Sequence, residues 1–172
     1  MKRMWSPWRS AYLETFKNPP RKTKSKKSIF TQALEANDDD KYYIVWRGKY
    51  CFIILNLYPY NSGHLMIVPY RQTARFDELT DKEIGEMMKV LRRAIRALDA
   101  EVHPDGFNFG ANLGRASGAG VNDHIHFHLV PSWNGDTNFM PVVSDAKVIS
   151  EDMRTTMYKL RKALKQAGKK KS

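Results

Sequence analysis

Apolar and polar positions alternate most strictly between residues 124 and 129, where His124, His126 and His128 are interleaved with Ile125, Phe127 and Leu129. A period of two belongs to a β-strand, so the spacing predicts three imidazoles on one face and three large apolar side chains on the other. Two runs rich in β-branched and aromatic residues, 42–46 and 50–57, flank Arg47-Gly48-Lys49 and predict a hairpin. The punctuation Asn61-Ser62-Gly63 precedes a third apolar run at 64–69, and 107–110 offers a fourth strand before the histidine run. Thr80-Asp81-Lys82-Glu83 is a capping-box pattern, and behind it Ile84, Met87, Met88, Leu91, Ile95 and Leu98 recur at three- and four-residue steps, predicting a long helix with a buried stripe. Met153, Met157, Leu160 and Leu164 mark a final helix in the same way.

These elements predict an α+β fold with about five strands in a mainly antiparallel sheet, a long helix between the third and fourth strands, and a C-terminal helix. The corresponding domain plan is an N-terminal extension with a basic linker over 1–41, one folded domain over 42–167, and a basic tail over 168–172. A chain of 172 residues supplies material for one substantial core. No apolar run approaches the roughly 20 residues that span a bilayer, and the opening residues lack the apolar stretch of a signal peptide. No membrane association is expected, therefore. The single cysteine, Cys51, sits in an apolar strand-like run, which predicts a core thiol and a reducing, cytoplasmic setting.

Net charge of +11 raises the question of nucleic acid. Residues 17–27 and 154–171 together hold 14 of the 29 Lys and Arg without a single acid, which leaves 15 bases against 18 Asp and Glu, a balance of −3. The folded middle is thus not basic. The two segments read as solvated chain that attracts polyanions by long-range electrostatics, and specific nucleic-acid binding is not expected.

Only five histidines occur in the chain, so three in alternation call for a chemical account. Imidazole binds metals, acts as general acid or base, and attacks phosphorus as a nucleophile. Alternate strand positions lie roughly 6.5 to 7 Å apart, so neighbouring rings can share one phosphate or one ligand. The stretch 112–123 that precedes the run carries three glycines, Gly114, Gly118 and Gly120, and such a loop can bring several amides against phosphate oxygens. His103, in Val102-His103-Pro104-Asp105-Gly106, reads as a turn residue with no role in the chemistry.

His124-Ile125-His126-Phe127-His128-Leu129-Val130 resembles the signature of the histidine-triad (HIT) superfamily of nucleotide hydrolases and transferases. The block from Phe52 through Asn56, Pro59, Gly63 and His64 to Pro69 also resembles that family's second and third strands. Val130-Pro131-Ser132-Trp133-Asn134-Gly135-Asp136-Thr137-Asn138-Phe139 and Met4-Trp5-Ser6-Pro7-Trp8-Arg9 are similar to the branch containing diadenosine tetraphosphate phosphorylases. The resemblance covers roughly 42–164. It implies a HIT-like fold, homodimers, and cleavage of a dinucleoside polyphosphate through a nucleotidyl-histidine. Under it His126 is the nucleophile, His128 contacts the phosphate and bridging oxygen, and His124 and His64 complete the ring of hydrogen bonds. Asn56 would hold the nucleoside, with Asn112, Gly118, Ala119 and Gly120 on the substrate as well. Gly120 falls where related phosphorylases carry serine, so water and phosphate both stay open as acceptor. A nucleoside phosphoramidase is the nearest alternative, and a non-catalytic nucleotide-binding regulatory module the one from a different class.

Some branches of the family hold structural zinc with a Cys-x-x-Cys pair, a histidine past the third strand and the first triad histidine. Here Ser28-Ile29-Phe30-Thr31 and Gln72 stand at those places, so no metal is expected, and no cofactor.

Overall fold

The computed structural model describes residues 27–136 and 152–168. The opening block 4–9, most of the first basic segment, residues 137–139 and the last four residues lie outside these. Five strands form one sheet in the order β1 (Ile44–Arg47), β2 (Cys51–Leu55), β3 (Leu65–Pro69), β5 (Phe127–Ser132) and β4 (Gly106–Gly110), with every neighbouring pair antiparallel. Among the described residues three helices accompany it: α1 (Ile29–Glu35), α2 (Asp81–Val102) and α3 (Met153–Ala167). This is the α+β architecture the patterning predicts.

All five residues of β2 and all five of β3 are buried, as a continuous apolar run requires when both faces of a sheet are covered. One face carries Cys51, Ile53, Leu55, Leu65, Ile67, Ile125, Phe127 and Leu129 against α2 and α3. The other carries Ile44, Phe52, Ile54, Met66 and Val68 with Phe30 of α1. The central strands therefore sit between two apolar layers, and the histidine face looks toward the thinner one.

Helix α2 starts at the expected capping box, with Thr80 accepting from the Glu83 amide and the Glu83 carboxylate accepting from the Thr80 amide at 2.7 Å. Arg71 adds bonds of 3.1 and 2.9 Å to the same carboxylate, which holds its pKa down at about 2. The buried stripe is offset from the expected one: Met87, Val90, Ala94, Ala97 and Leu98 are buried, Ile84, Leu91 and Ile95 are half-buried, and Met88 is exposed. Small residues at 94 and 97 allow close approach of neighbouring groups, and burial there reflects packing more than side-chain apolarity. Farther along, Glu86 accepts from the amides of Lys49, Tyr50 and Cys51 and clamps the β1–β2 turn to the helix. Cys51 is fully buried, and burial beside Glu86 pushes its thiol up to about 12. His103 caps the end of α2 in a left-handed conformation, as a turn residue should.

Gly63 joins the turn at 61–63 to His64. Its φ is +78°, and a Cβ there would meet Leu98 Cδ2 at 3.0 Å. Gly63→Ala combines backbone strain with a crowded core and is expected to lower stability by about 1–3 kcal/mol. Urea unfolding checks this through the midpoint, which should fall while the slope stays fixed. Among the described residues no helix is long and apolar enough to cross a membrane.

Candidate active site

The three triad histidines do not all lie in the strand that their alternation predicts. The β5 ladder starts at Phe127, whose partner is Ile67, so only His128 is within it. Residues 124–126 lead into the strand off the ladder, and what holds them is a different set of bonds. The Ile125 amide donates to Thr73 O at 2.7 Å, and His124 Nε2 donates to Pro69 O at 2.8 Å. The division of faces nonetheless holds, because Ile125, Phe127 and Leu129 enter the main core while His124 and His126 meet Phe30.

The structure brings His64, His126 and His128 into one cluster. Ring centroids are 4.9 Å apart for His126 and His128 and 5.1 Å for His64 and His128. His64 immediately precedes β3, in which Met66 pairs with His128, and Gly63 delivers it there. His64 and His124 are fully buried and His126 is 5% exposed.

Hydrogen-bond partners assign the protons. A carbonyl oxygen only accepts, so the 3.0 Å bond from His126 Nδ1 to His124 O puts the His126 proton on Nδ1 and leaves the Nε2 lone pair. Every fully buried polar side-chain atom among the described residues has a partner, and His126 Nε2 has none among those residues, so it is not fully enclosed and keeps a free lone pair. A second relay runs through His64. The Tyr60 amide donates to His64 Nδ1 at 3.0 Å, so the His64 proton sits on Nε2 and is donated to His128 Nδ1 at 2.9 Å. Neutral His128 must then carry its own proton on Nε2. One ring offers a lone pair, and the ring beside it offers a proton.

Burial lowers the pKa of His124 and His126, and burial together with His126 lowers His128 to about 4. All three rings are therefore neutral at pH 7, the form that a nucleophile needs. Because each folded-state pKa lies below the ordinary 6.5, the unfolded chain binds more protons as pH falls below that value. The stability contribution is thus complete above pH 6.5, is lost progressively on acidification, and levels off for His128 below about 4. Urea midpoints at pH 7.5, 5.5 and 4.5 should decline in that order, with a shallower slope in His128→Gln.

Asn56 lies at the end of β2. Its amide nitrogen is 3.4 Å from His64 Nδ1, and its oxygen accepts from the Tyr58 amide at 3.0 Å. The glycine loop follows β4, whose last residue, Gly110, is the register partner of His128. Asn112 Nδ2 bonds Gly118 O at 3.4 Å, Gly114 and Gly118 take positive φ, Ala119 is buried, and Gly120 is half-buried. The Asn112 and Ser117 side chains bond backbone within the loop, while Asp123 at its end accepts from Gln72. Residues 28–41 carried no predicted element, yet Ser28 caps α1 and its hydroxyl lies 2.6 Å from His124 Nδ1, while Phe30 sits edge-on to His124. Tyr60, stacked on His64 at 5.0 Å, was also missed. A serine followed three residues later by a polar residue, just before apolar Ile29-Phe30, is the signal that announces such a cap.

Ser28, Thr31 and Gln72 are neutral oxygen donors already bonded to one another and to His124. Without a thiolate, this set does not fit structural zinc.

Known proteins resemble this chain over much of its length. The chain is 40% identical to an AP-4-A phosphorylase of Mycobacterium tuberculosis over 158 residues, covering 91% of this chain and 80% of that protein. It is 29% identical to an adenosine 5'-monophosphoramidase of Schizosaccharomyces pombe over 46% of this chain and 56% of that one. A zinc-bound histidine triad family protein from Mycobacterium smegmatis superposes with a TM-score of 0.66 at 26% identity, covering 81% of this chain and 94% of that one. The HIT domain family model matches residues 38–135. Because that match spans more than half of the sequence and includes the triad, the chain belongs to the HIT domain family.

Proposed function

We propose that this chain is a nucleotidyltransferase that cleaves the phosphoanhydride of dinucleoside polyphosphates, diadenosine tetraphosphate foremost. The observation that carries the reading is the proton assignment at His126, which leaves Nε2 as an accessible lone pair next to His128. His126 Nε2 attacks the α-phosphorus, the bond from phosphorus to the bridging oxygen breaks, and ATP departs with the electron pair. His128 Nε2–H meets the charge that develops on the bridging oxygen, while His64 and His124 hold the rings in these tautomers. An acceptor oxygen then attacks the same phosphorus and returns the electron pair to His126. Phosphate as acceptor yields ADP and water yields AMP. The 40% identity to an AP-4-A phosphorylase supports phosphate.

Asn56 and the loop residues Asn112, Gly118, Ala119 and Gly120 contact the nucleotide in this reading, and a cytoplasmic homodimer is its natural form. Strand β4 is an edge of the sheet and carries the exposed Phe109, which supports pairing with a second copy. The kinship with a monophosphoramidase favours one further substrate class, adenosine 5'-phosphoramidates, attacked by the same nitrogen.

Incubation with diadenosine tetraphosphate, with and without inorganic phosphate, followed by separation of AMP, ADP and ATP, tests the proposal. Phosphate-dependent ADP is expected. AMP alone would make the protein a hydrolase, and turnover of phosphoramidates without dinucleotides would move it to the second class. No turnover of either, with nucleotide binding intact, would leave a regulatory module.

A further inference from the structure

We propose that Ser28 is a positioning residue for the nucleophile. Its hydroxyl proton locks His124 in one neutral tautomer, and the lock holds the carbonyl that fixes the proton on His126. The tautomer arm of this inference stands alone, and its kinetic arm rests on the nucleotidyl-transfer reading above.

Residues 124–126 lack ladder bonds to hold them, and both ring nitrogens of His124 are used instead. Pro69 O can only accept, so the 2.8 Å bond places a proton on His124 Nε2. Neutral His124 therefore has a lone pair at Nδ1, and Ser28 Oγ, 2.6 Å away, must donate to it. The lowered pKa of His124 agrees with a neutral ring. With its proton committed, Ser28 Oγ accepts from the Thr31 amide at 3.1 Å and caps α1. Thr31 Oγ1 donates to Gln72 Oε1 at 2.9 Å, and the Ser28 amide donates to the same oxygen at 2.9 Å. Gln72 Nε2 then reaches Asp123 Oδ2 at 3.2 Å, the side chain next to His124. One assignment of protons satisfies the whole circuit, and the 3.1 Å approach of the two hydroxyls carries no proton in it.

Helix capping alone does not explain this. An N-cap side chain needs only to accept, whereas Ser28 also donates, and it donates to the ring whose carbonyl sets His126. Phe30, two residues on, packs at 5.4 Å against His124 and 5.1 Å against His126, so α1 presents both contacts to the same pair.

The two uses of Ser28 separate by substitution. Ser28→Thr keeps the acceptor and the donor. Ser28→Asp keeps the acceptor and cannot donate, so His124 must take a second proton at Nδ1. Ser28→Gly loses the hydroxyl with little cost to the cap. Nitrogen-15 NMR of the imidazoles in the full chain should show the Nε2–H tautomer at His124 in the unsubstituted protein and Ser28→Thr, double protonation in Ser28→Asp, and loss of the single tautomer in Ser28→Gly. With diadenosine tetraphosphate and saturating phosphate, kcat should fall about tenfold or more in the Asp and Gly variants with KM within about twofold, and Ser28→Thr should recover it. If Ser28→Asp does not fold, Ser28→Gly decides. Wild-type tautomer and kcat in the Gly variant overturn the proposal, and so does a Thr variant as slow as Gly. If the unsubstituted protein cleaves no dinucleotide, the nucleotidyl-transfer reading fails while the NMR arm still decides the role of Ser28.

Discussion

His126→Ala is expected to lower turnover of diadenosine tetraphosphate by about ten-thousand-fold, with the fold retained. The size follows from the chemistry assigned to one atom. Without Nε2 the two-step route through a phosphoramidate is closed, and what remains is direct attack by an acceptor in a site that still binds and polarises the phosphate. The ring is nearly buried against Phe30, so its loss leaves a small void and a lower melting temperature, but it belongs to neither large apolar cluster. Circular dichroism checks the fold, and rapid quenching with α-labelled substrate checks the mechanism: label stays on the unsubstituted protein and not on the variant. Turnover within tenfold of wild type would remove His126 as the nucleophile.

His128→Ala should cost about a hundred- to ten-thousand-fold, the range for a lost proton donor or a lost stabilising contact at the leaving group. The proton on His128 Nε2 makes the loss depend on the leaving group. The Tyr60 amide orients His64, and His64 orients His128, so the proton on His128 Nε2 matters most when the departing oxygen is basic. An AMP ester of p-nitrophenol, whose leaving group needs little help, should lose much less than the dinucleotide. Equal losses on both substrates would mean that His128 only shapes the site. Steady-state kcat values for the two substrates in parallel separate these outcomes.

Much of the fold was legible because burial on one or both faces of a strand writes a period into the sequence. Runs at 50–57 and 64–69 became β2 and β3, and Thr80 with Glu83 marked the start of α2. The offset of the α2 stripe shows the limit of that reading. Periodicity finds an apolar face, but Met88 is exposed and Ala94 fully buried because packing decides where the centre of that face lies. Helix α1 was not legible as an element. Seven residues hold too little pattern of their own, and their order comes from long-range contacts with Gln72 and His124.

The candidate site divides in the same way. The alternation made three imidazoles opposite Ile125, Phe127 and Leu129 legible, but only His128 lies in β5, and the bonds to Thr73 and Pro69 keep residues 124–126 in the same division of faces. Where the ladder begins, which nitrogen of each ring carries a proton, and which ring presents a lone pair were decided only by tertiary structure. Those properties belong to partners distant in sequence: Pro69 and Ser28 for His124, His64 for His128. A residue's identity sets the chemistry it can perform, and the hydrogen bonds around it in the folded chain select the tautomer that performs it.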